Sequence, residues 1–143
     1  MTLIEVAIVL SIIAIMAVIF VATLSGTRTG DYIDRGAQQI YDDLILIRSR
    51  ALSTNANHRL NFASVTSWRI QSFNGTGWDD VGDVRNMPSD TYLASLPGTN
   101  PEATPRGLFT ASGSPYVTVT GLGATKTKSI YISVGGAIDI KIP

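Results

Sequence analysis

The chain has 143 residues, equal numbers of acidic and basic side chains at 11 each, and no cysteine. That length fits one domain plus whatever its first segment does. Zero net charge speaks against a generic nucleic-acid binder. The absence of cysteine excludes a disulfide framework, a thiolate metal site and a thiol nucleophile.

The opening, MTLIEVAIVLSIIAIMAVIFVATL, contains a single charged side chain, Glu5. From Val6 to Leu24 the run is uncharged, and its only polar members are Ser11 and Thr23. As a helix this stretch rises about 28 Å, close to the hydrocarbon thickness of a bilayer. It is apolar all round, so it reads as transmembrane or wholly buried rather than as a surface helix. The side chains expected to carry that role are Leu3, Ile4, Val6, Ile8, Val9, Leu10, Ile12, Ile13, Ile15, Val18, Ile19 and Phe20. No basic segment precedes the run and no clear small-residue cleavage site follows it, unlike a secretory signal peptide. Met1 is therefore expected to be a mature N-terminus.

A carboxylate at the edge of hydrocarbon must protonate or find a cation. Its own N-terminal amine is close. In a packed assembly the amine of one copy can instead meet Glu5 of the next. Such a pair is costly when mismatched and would set axial register. A simple membrane tether, with Glu5 at the headgroups, is the competing reading.

Thr2, Leu3, Ile4, Glu5 and the apolar helix after them resemble the mature N-terminus of type IV pilins and pseudopilins. The resemblance implies removal of a basic leader by a prepilin peptidase and N-methylation of the new terminus, here Met1, where the family more often has Phe. It also implies that Glu5 neutralises a neighbour's amine during assembly. Ala14 and Ala22 stand where family members often carry Gly and Pro, so local melting of the helix is less strongly encoded.

SGTRTG, residues 25–30, brings two glycines and three hydroxyl residues. A joint here and one continuous helix are both open readings. Residues 31–56 then show helical periodicity: Ile33, Ala37, Ile40, Leu44, Ile47 and Ala51 form one apolar stripe. Asp34, Arg35, Asp42, Asp43, Arg48 and Arg50 fall off it. Asp31 is a candidate N-cap, and Arg48 and Arg50 suit the negative end of the helix.

From residue 57 to 143 the chain reads as β-rich. RLNF and SWRIQSF form two strands around the turn residues 63–66. NGTGWDDVGD, residues 74–83, reads as a loop. Residues 86–107 carry four prolines and form a long excursion with one short strand near Tyr92–Leu96. GLFT, YVTVTG, KSIYISV and AIDIKI read as further strands, the last two joined at Gly135-Gly136 by a turn in which both glycines take positive φ. The expected class is α+β: a long N-terminal hydrophobic helix, then an antiparallel sheet domain packed on the second helical half.

LILIRSRALSTN, GLFTASGSPYVTVT and SIYISVGGAIDI resemble H-type pseudopilins and FimT-like minor pilins. That branch implies two antiparallel sheets and a terminal hairpin with glycine in its turn.

The remaining candidate sites are modest. Asp79, Asp80 and Asp83 lie in Gly-rich sequence, and a calcium loop competes there with a solvated turn. Arg106, Lys126 and Lys128 are the cations that the FimT-like resemblance would put on DNA. A charged loop tip is the plainer reading, because two lysines are a small electrostatic footprint. Asn74-Gly75-Thr76 matches a glycosylation sequon. His58, the sole histidine, reads as a polar junction residue, and Trp68 and Trp78 as core or interface. No nucleophile–base pair, phosphate loop or metal-ligand spacing occurs, so neither an enzyme nor a cofactor is implied.

The expected function is that of a structural subunit of an extracellular pilus-like filament. Its copies sit in the inner membrane before assembly and join a helical homo-oligomer at the cell surface or in the periplasm. An assembly platform with its own ATPase would drive that step. The alternatives are a minor pilin or pseudopilin of a type II secretion or DNA-uptake system, and a monomeric membrane-anchored binding protein.

Overall fold

The computed structural model describes residues 2–110 and 113–142, the side chains of 22–29 and 113–115 excepted. Helix α1 spans Leu3–Thr54, 52 residues without a break, a rise of about 78 Å. The backbone stays helical through 25–30, so the structure takes the continuous alternative and not the joint. Each interior glycine costs only about 1 kcal/mol, and no proline intervenes to remove a helical hydrogen bond. Asp31 consequently caps nothing. The helix ends at Thr54 because Asn55 adopts the left-handed conformation at φ 53°, which asparagine tolerates better than most residues.

The strands are β1 (His58–Ser64), β2 (Ser67–Phe73), β3 (Trp78–Asp80), β4 (Arg85–Asn86), β5 (Thr91–Leu93), β6 (Glu102–Ala103), β7 (Gly113–Gly121), β8 (Lys128–Ile132) and β9 (Ile138–Lys141). They form two antiparallel sheets. One has the order β3-β2-β1-β6 with β4 also paired to β2, and the other β5-β7-β8-β9. The loop expected at 74–83 contains β3. The stretch expected as the strand GLFT contributes a single bridge from Phe109 to Ala103.

The six stripe residues, Ile33 to Ala51, are all buried, and they pack against Leu60, Trp68, Ile70, Leu93, Val119 and Ile130. Both sheets thus share one helix as their core wall. Burial of a Leu or Ile side chain contributes about 1.5–3 kcal/mol, so this stripe fixes the domain to the helix.

One charged residue breaks the pattern. Asp43 is 3% exposed, although periodicity puts it off the stripe. Its Oδ2 accepts a hydrogen bond from Trp68 Nε1 at 2.8 Å and faces Arg85 Nε at 3.2 Å. Strand β4 exists to place that arginine, since Arg85 pairs in register with Trp68. Burial pushes the Asp43 carboxyl above its ordinary value, with the Trp68 N–H and Arg85 pulling the other way.

At the far end of the helix, Arg48 Nη1 donates to Gly136 O at 2.9 Å. Arg48 therefore holds the β8–β9 turn, rather than capping helix carbonyls. Only Gly136 of the glycine pair takes positive φ, 87°. The turn closes through Ser133 and Ala137, giving a three-residue loop whose last member is left-handed. A Cβ on Gly136 would lie 2.5 Å from Gly107 O and 2.9 Å from Arg48 Cζ.

Gly136→Ala is expected to lower unfolding stability by about 1–3 kcal/mol. Gly123→Ala, also at positive φ but facing open space, should cost less; equal losses in urea melts would contradict the clash. Asp43→Ala should cost about 1–3 kcal/mol by stranding the Trp68 N–H. A raised carboxyl makes the folded state hold its proton more tightly, so its contribution is fullest below 3.8 and fades as pH rises through the raised value. Asp43→Asn, which keeps an acceptor for Trp68, should remove that slope from the pH dependence of urea-unfolding stability.

Candidate assembly site on the N-terminal helix

The site is the half of α1 that the domain leaves bare. Leu3–Val21 is a 19-residue stretch of mean hydropathy 3.0, none of it buried within the chain. Every apolar residue proposed from the sequence, from Leu3 to Phe20, is exposed around the full circumference. A soluble monomer does not present apolar surface on this scale, which marks an interaction with lipid or protein. The helix is unbroken through Ala14 and Ala22. Ser11 returns its hydroxyl to Ala7 O at 2.8 Å, so its polar group is satisfied inside the helix.

Glu5 sits at the start of this surface. Thr2 is the N-cap, and the two residues form a reciprocal capping box. Glu5 Oε2 accepts from Thr2 N at 2.7 Å, and Thr2 Oγ1 accepts from Glu5 N at 3.4 Å. From the sequence Thr2 was named only for the pilin resemblance and not as a cap, although T-x-x-E before an apolar run is a recognised helix-start signal. The box holds the carboxylate at the helix N-terminus, where the macrodipole favours negative charge. Among the described residues Glu5 has no cationic partner; Met1, proposed to supply the amine, lies outside them.

The other candidates are dispersed. Asp79 and Asp80 are adjacent on β3 and face opposite sides of the sheet. Asp79 accepts from Asn74, while Asp80 is held by Arg69 and Gln71. Those two donors hold the Asp80 carboxyl below its ordinary value. Asp83 lies in the next loop, and among the described residues no group of three His, Cys, Asp or Glu side chains converges on a metal position. The calcium loop is not assembled among the described residues: Asp79 and Asp80 point to opposite faces of β3 and are held by Asn74 and by Gln71 and Arg69.

The three candidate DNA cations do not form one patch. Lys128 pairs with Asp34 at 3.1 Å. Arg106 adjoins Gly107, which abuts Arg48 and Leu52, about 20 Å further along the helix axis. Asn74 is exposed, with its Oδ1 accepting from Thr76 N, Thr76 Oγ1 and Gly77 N. His58 is buried against Ala56 O. Trp68 is core, and Trp78 stacks beneath Arg59 at 4.0 Å.

A bare apolar half-helix that continues into an amphipathic half, wrapped by two antiparallel sheets, is the architecture of the type IV pilin and pseudopilin superfamily. The family model described as "Type II transport protein GspH" matches residues 36–141, and the chain belongs to that family. Two solved structures share the fold, both of the minor pseudopilin EpsH from the type 2 secretion system of Vibrio cholerae. One aligns with TM-score 0.61 and 12% identity over 78% of this chain and 97% of that one. The other gives 0.58 and 12% over 79% and 95%. No curated protein sequence matches the chain.

Proposed function

We propose that this chain is a minor pilin-like subunit of a type II secretion-type filament, with a structural and not a catalytic role. The observation that carries the reading is the 19-residue bare apolar segment fused without a break to the GspH-type domain. Before assembly Leu3–Val21 spans the inner membrane, with the domain outside the cytoplasm. On assembly the same surface leaves lipid for a bundle of neighbouring helices. That transfer costs little, because both surroundings are apolar and packing decides between them.

Glu5 supplies the specificity that apolar packing lacks. Copies can slide along a greasy surface, but a carboxylate and an amine in hydrocarbon must meet. Met1 would present the amine, N-methylated after prepilin peptidase removes a leader. Thr2 holds Glu5 at the helix end until a neighbour's amine arrives. The assembly platform and its ATPase act from outside this chain. Family membership and the EpsH fold favour the minor-subunit reading over that of a main pilus subunit, although the same helix serves either.

Glu5→Ala in the full chain, produced with its secretion machinery, should cut incorporation into sheared filaments at least about tenfold, the loss of a buried charge pair. The domain's circular dichroism and membrane level should not change. Wild-type protein should form a small fraction of filament mass. Undiminished incorporation would overturn the register role. A filament made mainly of this chain would make it a main subunit, and its absence from filaments would leave a membrane tether.

A further inference from the structure

The two most exposed large apolar side chains of the β-domain are Leu122, at 73%, and Ile142, at 66%. Both lie at the same end of it. Val119 packs near Gly36 and Lys128 reaches Asp34, whereas Gly136, beyond the other end of β8, meets Arg48. Strand β8 and the turn after it therefore run along α1 from the level of residue 34 to that of residue 48. The β7–β8 turn extends past its outermost register pair, Val119–Lys128, toward the N-terminal half of the helix. Ile142 follows Lys141, which is in register with Ser129, so the chain end reaches only the level of Lys128, about 10–13 Å short of the hairpin tip.

Thirteen residues separate Val21 from Asp34, an axial rise of about 20 Å. A hairpin reaching three or four residues beyond Lys128 recovers about 10–13 Å of that. Its tip then stands about 7–10 Å above the hydrocarbon edge, and each headgroup layer is about 5–8 Å deep. Helix tilt, commonly about 20°, closes part of the remaining gap.

We propose that the β7–β8 turn forms a foot that rests on the lipid headgroups while the subunit is still in the membrane, with Leu122 entering the interface. This rests on the membrane-anchored reading above. The contact is led by the apolar side chain of Leu122. Lys128 is paired with Asp34 and Lys141 with Asp139 at 3.6 Å, while exposed Asp31 and Asp90 sit at this end with Arg35. Lys126 is the exposed cation at the tip, without an ion pair among the described residues, and it can meet a lipid phosphate. The near balance of charge predicts little dependence on anionic lipid content. An exposed leucine beside a single unpaired lysine suits a bilayer surface better than duplex DNA, whose backbone rewards many cations.

The test uses the whole chain, which has no native cysteine, in phosphatidylethanolamine–phosphatidylglycerol nanodiscs at a single copy per disc. Environment-sensitive probes go on Leu122→Cys, Ile142→Cys, Val134→Cys and Ile12→Cys. The expected result is several-fold stronger quenching of the 122 probe than of the 142 and 134 probes by headgroup-level spin-labelled lipid, little changed when phosphatidylglycerol is omitted. Quenching at 122 no greater than at 134, with the Ile12→Cys probe deep in lipid, would overturn the foot alone. A water-exposed Ile12→Cys probe would overturn the anchored reading and the foot with it. A response at 122 only to added duplex DNA, or only in discs holding several copies, would also overturn the proposal.

Discussion

One helix must bury two different surfaces. Its C-terminal half presents a stripe from Ile33 to Ala51 that two sheets cover completely. Its N-terminal half, Leu3–Val21, presents apolar side chains on every side and is covered by nothing among the described residues. Because the backbone between them is helical throughout, the halves cannot fold toward each other. The exposed half must therefore find lipid or other helices, and the domain must stay at a set distance from whatever it finds.

That constraint organises the rest of the molecule. The sheets need no second layer of helices, since both rest on the same stripe. Asp43 ties the first sheet to the helix through Trp68 and Arg85, and Arg48 ties the turn of the second through Gly136. Both tethers are polar groups reaching out from beside the apolar stripe, so they fix rotation about the helix axis as well as contact. At the other extreme, an all-round apolar surface specifies neither register nor partner. In the proposed assembly, a single carboxylate held by a capping box at the helix start restores that specification.

What could be read in the residues followed the range of the interactions. The stripe was legible because helical geometry alone sets its spacing. The β1–β2 hairpin was legible from its strand and turn composition. Asp43 was not, since its burial depends on a tryptophan 25 positions away and on an arginine brought in by β4. Strands β4 and β6, two residues each, carry no local pattern and exist only as pairings. The glycines at 26 and 30 suggested a joint, but a local cost of about 1 kcal/mol each does not break a helix with long helix-forming runs on both sides. Glu5 stood out as a lone charge in an apolar run. Its cap, Thr2, was equally visible in T-x-x-E and became apparent only from the hydrogen bonds.

The most direct measurement follows solvent access to the bare half-helix through the subunit's life. A maleimide would be reacted with Ile12→Cys in membranes, in sheared filaments, and in protein released into buffer by mild detergent and then depleted of it. The account predicts protection in membranes and again in filaments, with reaction or aggregation only when both covers are removed. Free reaction of Ile12→Cys within intact filaments would contradict it, because the helix would then not form their core.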